Sequence, residues 1–167
     1  MIKKLILKLV NYLTSKYLKV PYIQYPVSFS TVDVGLLSIK NGEKYVLLGR
    51  KPYRTVFQFP GGFRDSGETN EAAAKREVKE ETDLDINESS LSYIGNYFVN
   101  DPRYINSCHK ITTSFFYASI PKDMQFCPKD DLEELKLFKL DEVTEDIIHP
   151  IHWLLFEAFK KTIYAKF

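Results

Sequence analysis

Between Pro60 and Leu84 the chain reads PGGFRDSGETNEAAAKREVKEETDL, and this stretch limits the available folds more than any other. Pro60 stops the strand before it, and the Gly61-Gly62 pair permits a tight turn with its carbonyl oxygens available. A loop carrying Glu68 follows. From about Asn70 to Thr82 the pattern is helical, with Thr69 or Asn70 as the N-cap. On that helix Glu77, Glu80 and Glu81 stand three and four residues apart, so the three carboxylates share one face. Like charges at such spacing weaken a helix unless something offsets them. Without counter-charges in the patch, three carboxylates invite a hard divalent cation, which takes oxygen ligands. Such a cation also bridges and neutralises phosphates, which implies a phosphorylated substrate. For the glutamate run alone, a solvated helix with Arg76 and Glu80 as an i,i+4 pair is the plainer reading. The glycine loop and Glu68 reverse that preference. Ala73, one turn earlier, is small enough to let a substrate approach, while Ala74 and Val78 suit packing against a sheet.

The rest of the chain supplies strands. STVDVGLLSI and EKYVLLGRK flank Asn41-Gly42, a strong hairpin signal. VFQF reads as a short strand stopped by Pro60, and SLSYIGNYFV and KITTSFFYASI as strands around the turn-rich NDPRYINS. ELKLFKL is a further strand, DEVTEDI a short helical turn, and about Pro150 to Tyr164 a last helix carrying Trp153, Leu154, Phe156 and Phe159. Strands with one helix between the early and late ones predict an α/β or α+β sandwich. At 167 residues the chain reads as one domain with a sizeable core. A net charge of +1 argues against binding nucleic acid through bulk electrostatics. Cys108 and Cys127 lack metal-ligand spacing and read as two buried free thiols in a reducing cytoplasm, the expected location.

The first twenty residues stand apart. Lys8 interrupts the apolar run and no small-residue cleavage site follows, so a signal peptide is not expected. The stretch is also too short and too charged to span a membrane. Ile2, Leu5, Ile6, Leu9, Leu13 and Tyr17 fall at helical spacing, giving an amphipathic helix with a basic outer face that packs on its own domain or on a partner subunit. Membrane attachment is the lesser reading. We divide the chain at residues 1–26, helix and connector, and 27–167, the main domain.

The segment opened on resembles the Nudix box, G-x5-E-x7-R-E-U-x-E-E-x-G-U with U apolar. Gly62, Glu68, Arg76, Glu77, Val78, Glu80, Glu81 and Leu84 fill its positions at the right spacing, and Asp83 stands where the family has glycine. That glycine closes the helix in a left-handed conformation, which Asp tolerates better than most residues, so a small stability cost is expected. The resemblance implies the Nudix α/β/α sandwich, a mixed sheet between helices, with the N-terminal amphipathic helix as an addition. It implies hydrolysis of a nucleoside diphosphate linked to another moiety. It also implies that Glu77, Glu80 and Glu81, with the Gly61 carbonyl, hold Mg2+ or Mn2+, and that Glu68 bonds Arg76 to orient the cluster.

Features outside the box bear on the substrate. STVDVGLL and NDPRYINSCHKITTSFFYA resemble segments of the ADP-ribose pyrophosphatase branch, which implies Arg103 on phosphate or ribose and Tyr104 stacked on a base. A plain turn at Asp101-Pro102-Arg103 is an equal reading. Many Nudix enzymes place their general base in a late acidic loop. Here that loop is PKDDLEEL, with Glu133 and Asp131 as candidates and Asp130 and Glu134 behind them; an ordinary charged turn competes with each. His149 and His152 read as helix-start residues, although His152 could reach a phosphate. FPGG also matches the mutator-type hydrolases, so a nucleoside triphosphate pyrophosphohydrolase of the 8-oxo-dGTP sanitising type is the alternative enzyme. A nucleotide-sensing domain without catalysis is a third reading, opposed by the intact acidic residues. The resemblance further suggests a homodimer, with the N-terminal helix available for that contact.

Overall fold

The computed structural model describes residues 5, 6, 8–10, 12, 13, 16, 27–104, 106, 109–121 and 123–166. The strands are β1 (Ser28–Lys40), β2 (Glu43–Arg50), β3 (Gly61–Phe63), β4 (Ser92–Val99), β5 (Lys110–Ser119) and β6 (Glu134–Lys139), and two helices follow their sequence signals, α1 (Asn70–Thr82) and α2 (Pro150–Lys166). The sheet runs β4-β5-β1-β2-β6, with β3 also on β1. β1 and β5 are parallel and the other pairings antiparallel, so the sheet is mixed. Asn41 and Gly42 take φ of 52° and 83° in the two-residue turn that sets Lys40 opposite Glu43, the left-handed pair that such a hairpin demands.

Alternation along the central strands sorts side chains into two cores. Val32, Val34 and Leu36 of β1 and Phe116 and Ala118 of β5 meet Ala73, Ala74 and Val78 of α1. Leu37, Phe115 and Tyr117 face the other way, onto Leu155, Phe156, Phe159 and Ile163 of α2. The result is the expected α/β sandwich, a sheet between helices. Asp33 and Thr113 share their strand faces with Leu37 and Phe115, which places both on the α2 side.

Four expectations need correction. VFQF does not form a strand; Gln58 and Phe57 make only isolated bridges, to Gly49 and Ile148. Ala73 is fully buried under the sheet and lines no approach to a site, because α1 turns its alanines inward with Val78. Cys127 is free but exposed; Cys108 lies outside the described residues. In the N-terminal segment Leu5, Ile6, Leu9 and Leu13 are helical but solvent-facing, Leu5 at 70% exposure, which corrects packing of these side chains on their own domain and leaves the partner-subunit alternative standing. The expected helix end at Pro21 to Pro26 lies outside the described residues. Among the described residues no helix is long and apolar enough to cross a membrane.

Candidate active site

The glutamate helix starts and ends as its sequence dictates. Thr69 caps α1 by accepting the Ala72 N–H at 3.1 Å. At the other end Asp83 takes φ 63°, the left-handed conformation, and its N–H returns to the Lys79 carbonyl. Its carboxylate pairs with Lys79 and Lys129, each at 2.9 Å, contacts that glycine could not make. The loop between β5 and β6 is fastened to this helix end through the backbone: Cys127 N–H donates to Thr82 O at 3.0 Å and Lys129 N–H to Glu81 O at 3.1 Å. Asp130 and Asp131 follow directly in that loop.

Arg76 organises the face. Glu68 accepts from its Nε and Nη2, both at 3.0 Å, in a two-point pair, and Nη2 also reaches Phe63 O. Nη1 donates to Glu77 Oε1 at 2.8 Å and to Glu80 Oε2 at 2.9 Å. The carboxylates are therefore not all without counter-charge: one guanidinium pairs with Glu77 and Glu80 of its own helix and with Glu68 of the loop before it, and Glu81 is left out. The arginine takes one oxygen each from Glu77 and Glu80. Among the described residues no three acidic, His or Cys side chains already converge as an ion cage.

Burial separates the glutamates. Glu81 is 2% exposed and Glu77 8%, while Glu80 is exposed. The Glu81 Oε2 accepts the Gly61 N–H at 2.9 Å. Burial pushes its carboxyl up to about 9; the Gly61 bond opposes this, and Asp131, hydrogen-bonded to it, adds to it. Asp131 itself lies below the usual carboxylate range: burial acts against its charge, but bonds to Lys51 and Glu81 outweigh that. Burial likewise raises Glu77, against the pull of Arg76. Glycine at position 62 gives Glu77 its room, since a Cβ there would lie 2.7 Å from Glu77 Oε1.

A cavity of about 570 Å³ opens beside this face, with Gly61, Gly62, Glu77, Glu81, Asp130 and Asp131 along one wall. Lys51, Arg54 and Arg103 bring positive charge to it. Arg103 is held by Asp101, with Nη2 at 2.6 Å from Oδ2. Asp33, Gln58, His149 and His152 also line it. Asp33 Oδ2 accepts from the Thr113 hydroxyl at 2.6 Å, and burial raises Asp33 to about 7 against that bond.

The structure thus brings together Glu77, Glu81, Gly61, Asp131 and Arg103, with Glu68 and Arg76 behind them. Glu133 and Glu134 turn instead to Arg50, at 3.1 and 2.8 Å, and do not line the cavity. β6 begins at Glu134 and pairs it with Arg50 of β2, which swings both side chains to the sheet edge. Tyr104 packs on Phe29, ring centroids 5.4 Å apart, rather than lining the cavity. Sequence reasoning missed Asp33, Lys51 and Arg54. Asp33 did carry a signal, as the lone charge inside an apolar central strand.

These donors suit a hard divalent cation. Two buried carboxylates, Glu77 and Glu81, sit beside backbone oxygens and a third carboxylate, an all-oxygen set. Comparison with known families matches residues 30–159 to the NUDIX domain. The chain belongs to the Nudix family. Nudix hydrolases generally need a divalent metal, in keeping with this site.

A curated Nudix-type relative, the ADP-ribose pyrophosphatase of Methanocaldococcus jannaschii, is 35% identical over 107 residues, 63% of this chain and 60% of the relative. The chain therefore matches less than two thirds of that protein's length. Among solved structures, the NUDIX domain of Shewanella oneidensis NrtR complexed with ADP ribose superposes with a TM-score of 0.71 at 20% identity, covering 89% of this chain and 97% of that one. A MutT/nudix family protein from Listeria innocua has a TM-score of 0.62 at 27% identity, over 83% and 95%.

Proposed function

We propose that this Nudix chain hydrolyses the pyrophosphate bond of a nucleoside diphosphate linked to another moiety, with ADP-ribose or a related nucleotide sugar as substrate and Mg2+ or Mn2+ as cofactor. One observation carries the reading: the buried Glu77 and Glu81 carboxylates share a cavity with Lys51, Arg54 and Arg103. Such a cavity has anionic ligands for a cation on one side and cations for phosphate oxygens on the other. The ADP-ribose pyrophosphatase relative supports the choice of substrate.

Glu77, Glu80 and Glu81, with the Gly61 carbonyl, would hold the metal. A bound divalent cation supplies Lewis acidity toward the phosphoryl oxygens and lowers the pKa of an attacking water. Arg76 and Glu68 keep the glutamates in place. Glu81 would hold the ion as a carboxylate, and the Gly61 N–H that already donates to its Oε2 would support that charge. Asp131 is the base we assign, at its carboxylate oxygens: it lines the cavity, it is ionised, and it already bonds Glu81. Glu133, paired with Arg50, is not needed for this step. Arg103 and Arg54 bind the pyrophosphate oxygens.

The test is a panel of ADP-ribose, NADH, diadenosine polyphosphates and nucleoside triphosphates, including 8-oxo-dGTP, with Mg2+ or Mn2+ and with Glu81→Gln as control. Turnover of ADP-ribose ahead of the others is expected. Failure to hydrolyse any of them would remove the enzyme assignment, and faster release of pyrophosphate from 8-oxo-dGTP would move it to the triphosphate class.

A further inference from the structure

One polar group of the cavity has no part in the reaction just described. His152 lies in the first turn of α2, its side chain largely buried, its ring stacked on Phe59 at 6.1 Å and 29°. The Phe59 backbone N–H donates to His152 Nδ1 at 3.3 Å. A backbone amide can only donate, so Nδ1 carries no proton and the neutral ring holds its hydrogen on Nε2. Asp33 Oδ1 is 3.8 Å from Nδ1, beyond hydrogen-bond reach, and the other Asp33 oxygen is taken by Thr113. Burial, with His149, Lys51 and Arg54 nearby, lowers the imidazole to about 3 and keeps it uncharged.

Nε2–H is thus left over. Among the described residues it donates to no protein atom, and the one fully buried side-chain polar atom without a partner is Ser38 Oγ. Nε2 is therefore open to the cavity that His152 lines. The cavity's other side-chain donors include three cations, which suit phosphate oxygens. A neutral donor fixed in one tautomer suits an uncharged oxygen instead. Asp33 and Gln58, which line the same space, can accept the hydrogen that a hydroxyl would give in return. A sugar hydroxyl satisfies both requirements; a phosphate oxygen satisfies only the first.

We propose that His152 is a specificity residue that donates through Nε2–H to a sugar hydroxyl of the substrate, beyond the pyrophosphate. The inference rests on the reading of the site given above and names the part of the substrate that this wall selects. Kinetics of His152→Phe and His152→Gln test it. The phenylalanine keeps a ring against Phe59 without a donor, and the glutamine restores an N–H near the Nε2 position. His152→Phe is expected to raise KM for ADP-ribose about ten-fold, the effect of one hydrogen bond, with kcat within about two-fold and inhibition by inorganic pyrophosphate unchanged. His152→Gln is expected to recover most of the loss. An unchanged KM in His152→Phe, or equal weakening of pyrophosphate and ADP-ribose, would overturn the assignment. Thermal melts of both variants separate a folding defect from a binding one, and the glutamine variant decides the matter if the phenylalanine variant does not fold. If the wild type hydrolyses nothing, the enzyme reading fails by itself. Calorimetric binding of ADP-ribose to wild type and variants then still decides this one: equal affinities, or no binding to the wild type, count against it.

Discussion

The glutamate cluster on α1 and the rest of the cavity lining keep their charges in place by different means. In the cluster one arginine of α1 holds Glu68, Glu77 and Glu80, all within one helix and the loop before it. Elsewhere in the lining Arg103 comes from the turn before β5, Asp33 from the middle of β1 and His152 from α2, while Lys51, the residue after β2, pairs with Asp131. The glutamate cluster is set by helical spacing, whereas Asp130 and Asp131 reach it from the loop between β5 and β6. The rest of the lining exists only when the strands are in register and α2 is docked. Chemistry common to a family sits well on the first kind of scaffold, and discrimination between substrates on the second.

Substitutions can sharpen or break this contrast. Glu81→Gln and Asp131→Asn should each lower kcat by about 100-fold or more if they serve as ligand and base, whereas Glu133→Gln should leave steady-state rates within about two-fold; a large loss in Glu133→Gln would return the base to that residue. Arg76→Ala should cost about ten-fold or more in activity through misplaced glutamates, partly regained by raising Mg2+, as a metal titration of initial rates would show. A smaller effect belongs to the rest of the lining and appears in stability. His152 is lowered to about 3 in the fold, against about 6.5 in an unfolded chain. Between those values the unfolded state binds the extra proton, so stability is lost as pH falls from about 6.5 toward 3. His152→Phe should flatten that part of the Tm-against-pH curve, and an unaltered slope would mean the histidine charges freely. The smallest effect is expected at Asp83. Asp83→Ala should destabilise by about 1 kcal/mol, the cost of a left-handed residue without its side-chain bonds. Asp83→Gly should stay within about 0.5 kcal/mol by denaturant melts, relief of backbone strain offsetting the lost lysine contacts.

What could be read in advance follows the same division. The span of α1, its Thr69 cap, the Asn41-Gly42 hairpin and the left-handed Asp83 all depend on neighbours within a few residues, and each is legible. Ala73 was misjudged because a helical wheel shows which residues share a face but not where the sheet lies. Glu133 and Asp131 are indistinguishable in PKDDLEEL; only the pairing of β6 with β2 turns one toward Arg50 and leaves the other beside Glu81. Lys51 had no local signature, and His152 showed only as a helix-start residue able to reach a phosphate, since a hundred residues separate groups that share one cavity.

Asp83 also has a mechanical consequence. Its bridge to Lys129 and the two backbone hydrogen bonds from Cys127 and Lys129 rivet the end of the helix to the loop that carries Asp131. A swing of that loop away from a stationary helix would have to break both backbone hydrogen bonds, one of them to the carbonyl of Glu81 itself, so the carriers of the two carboxylates are stitched together.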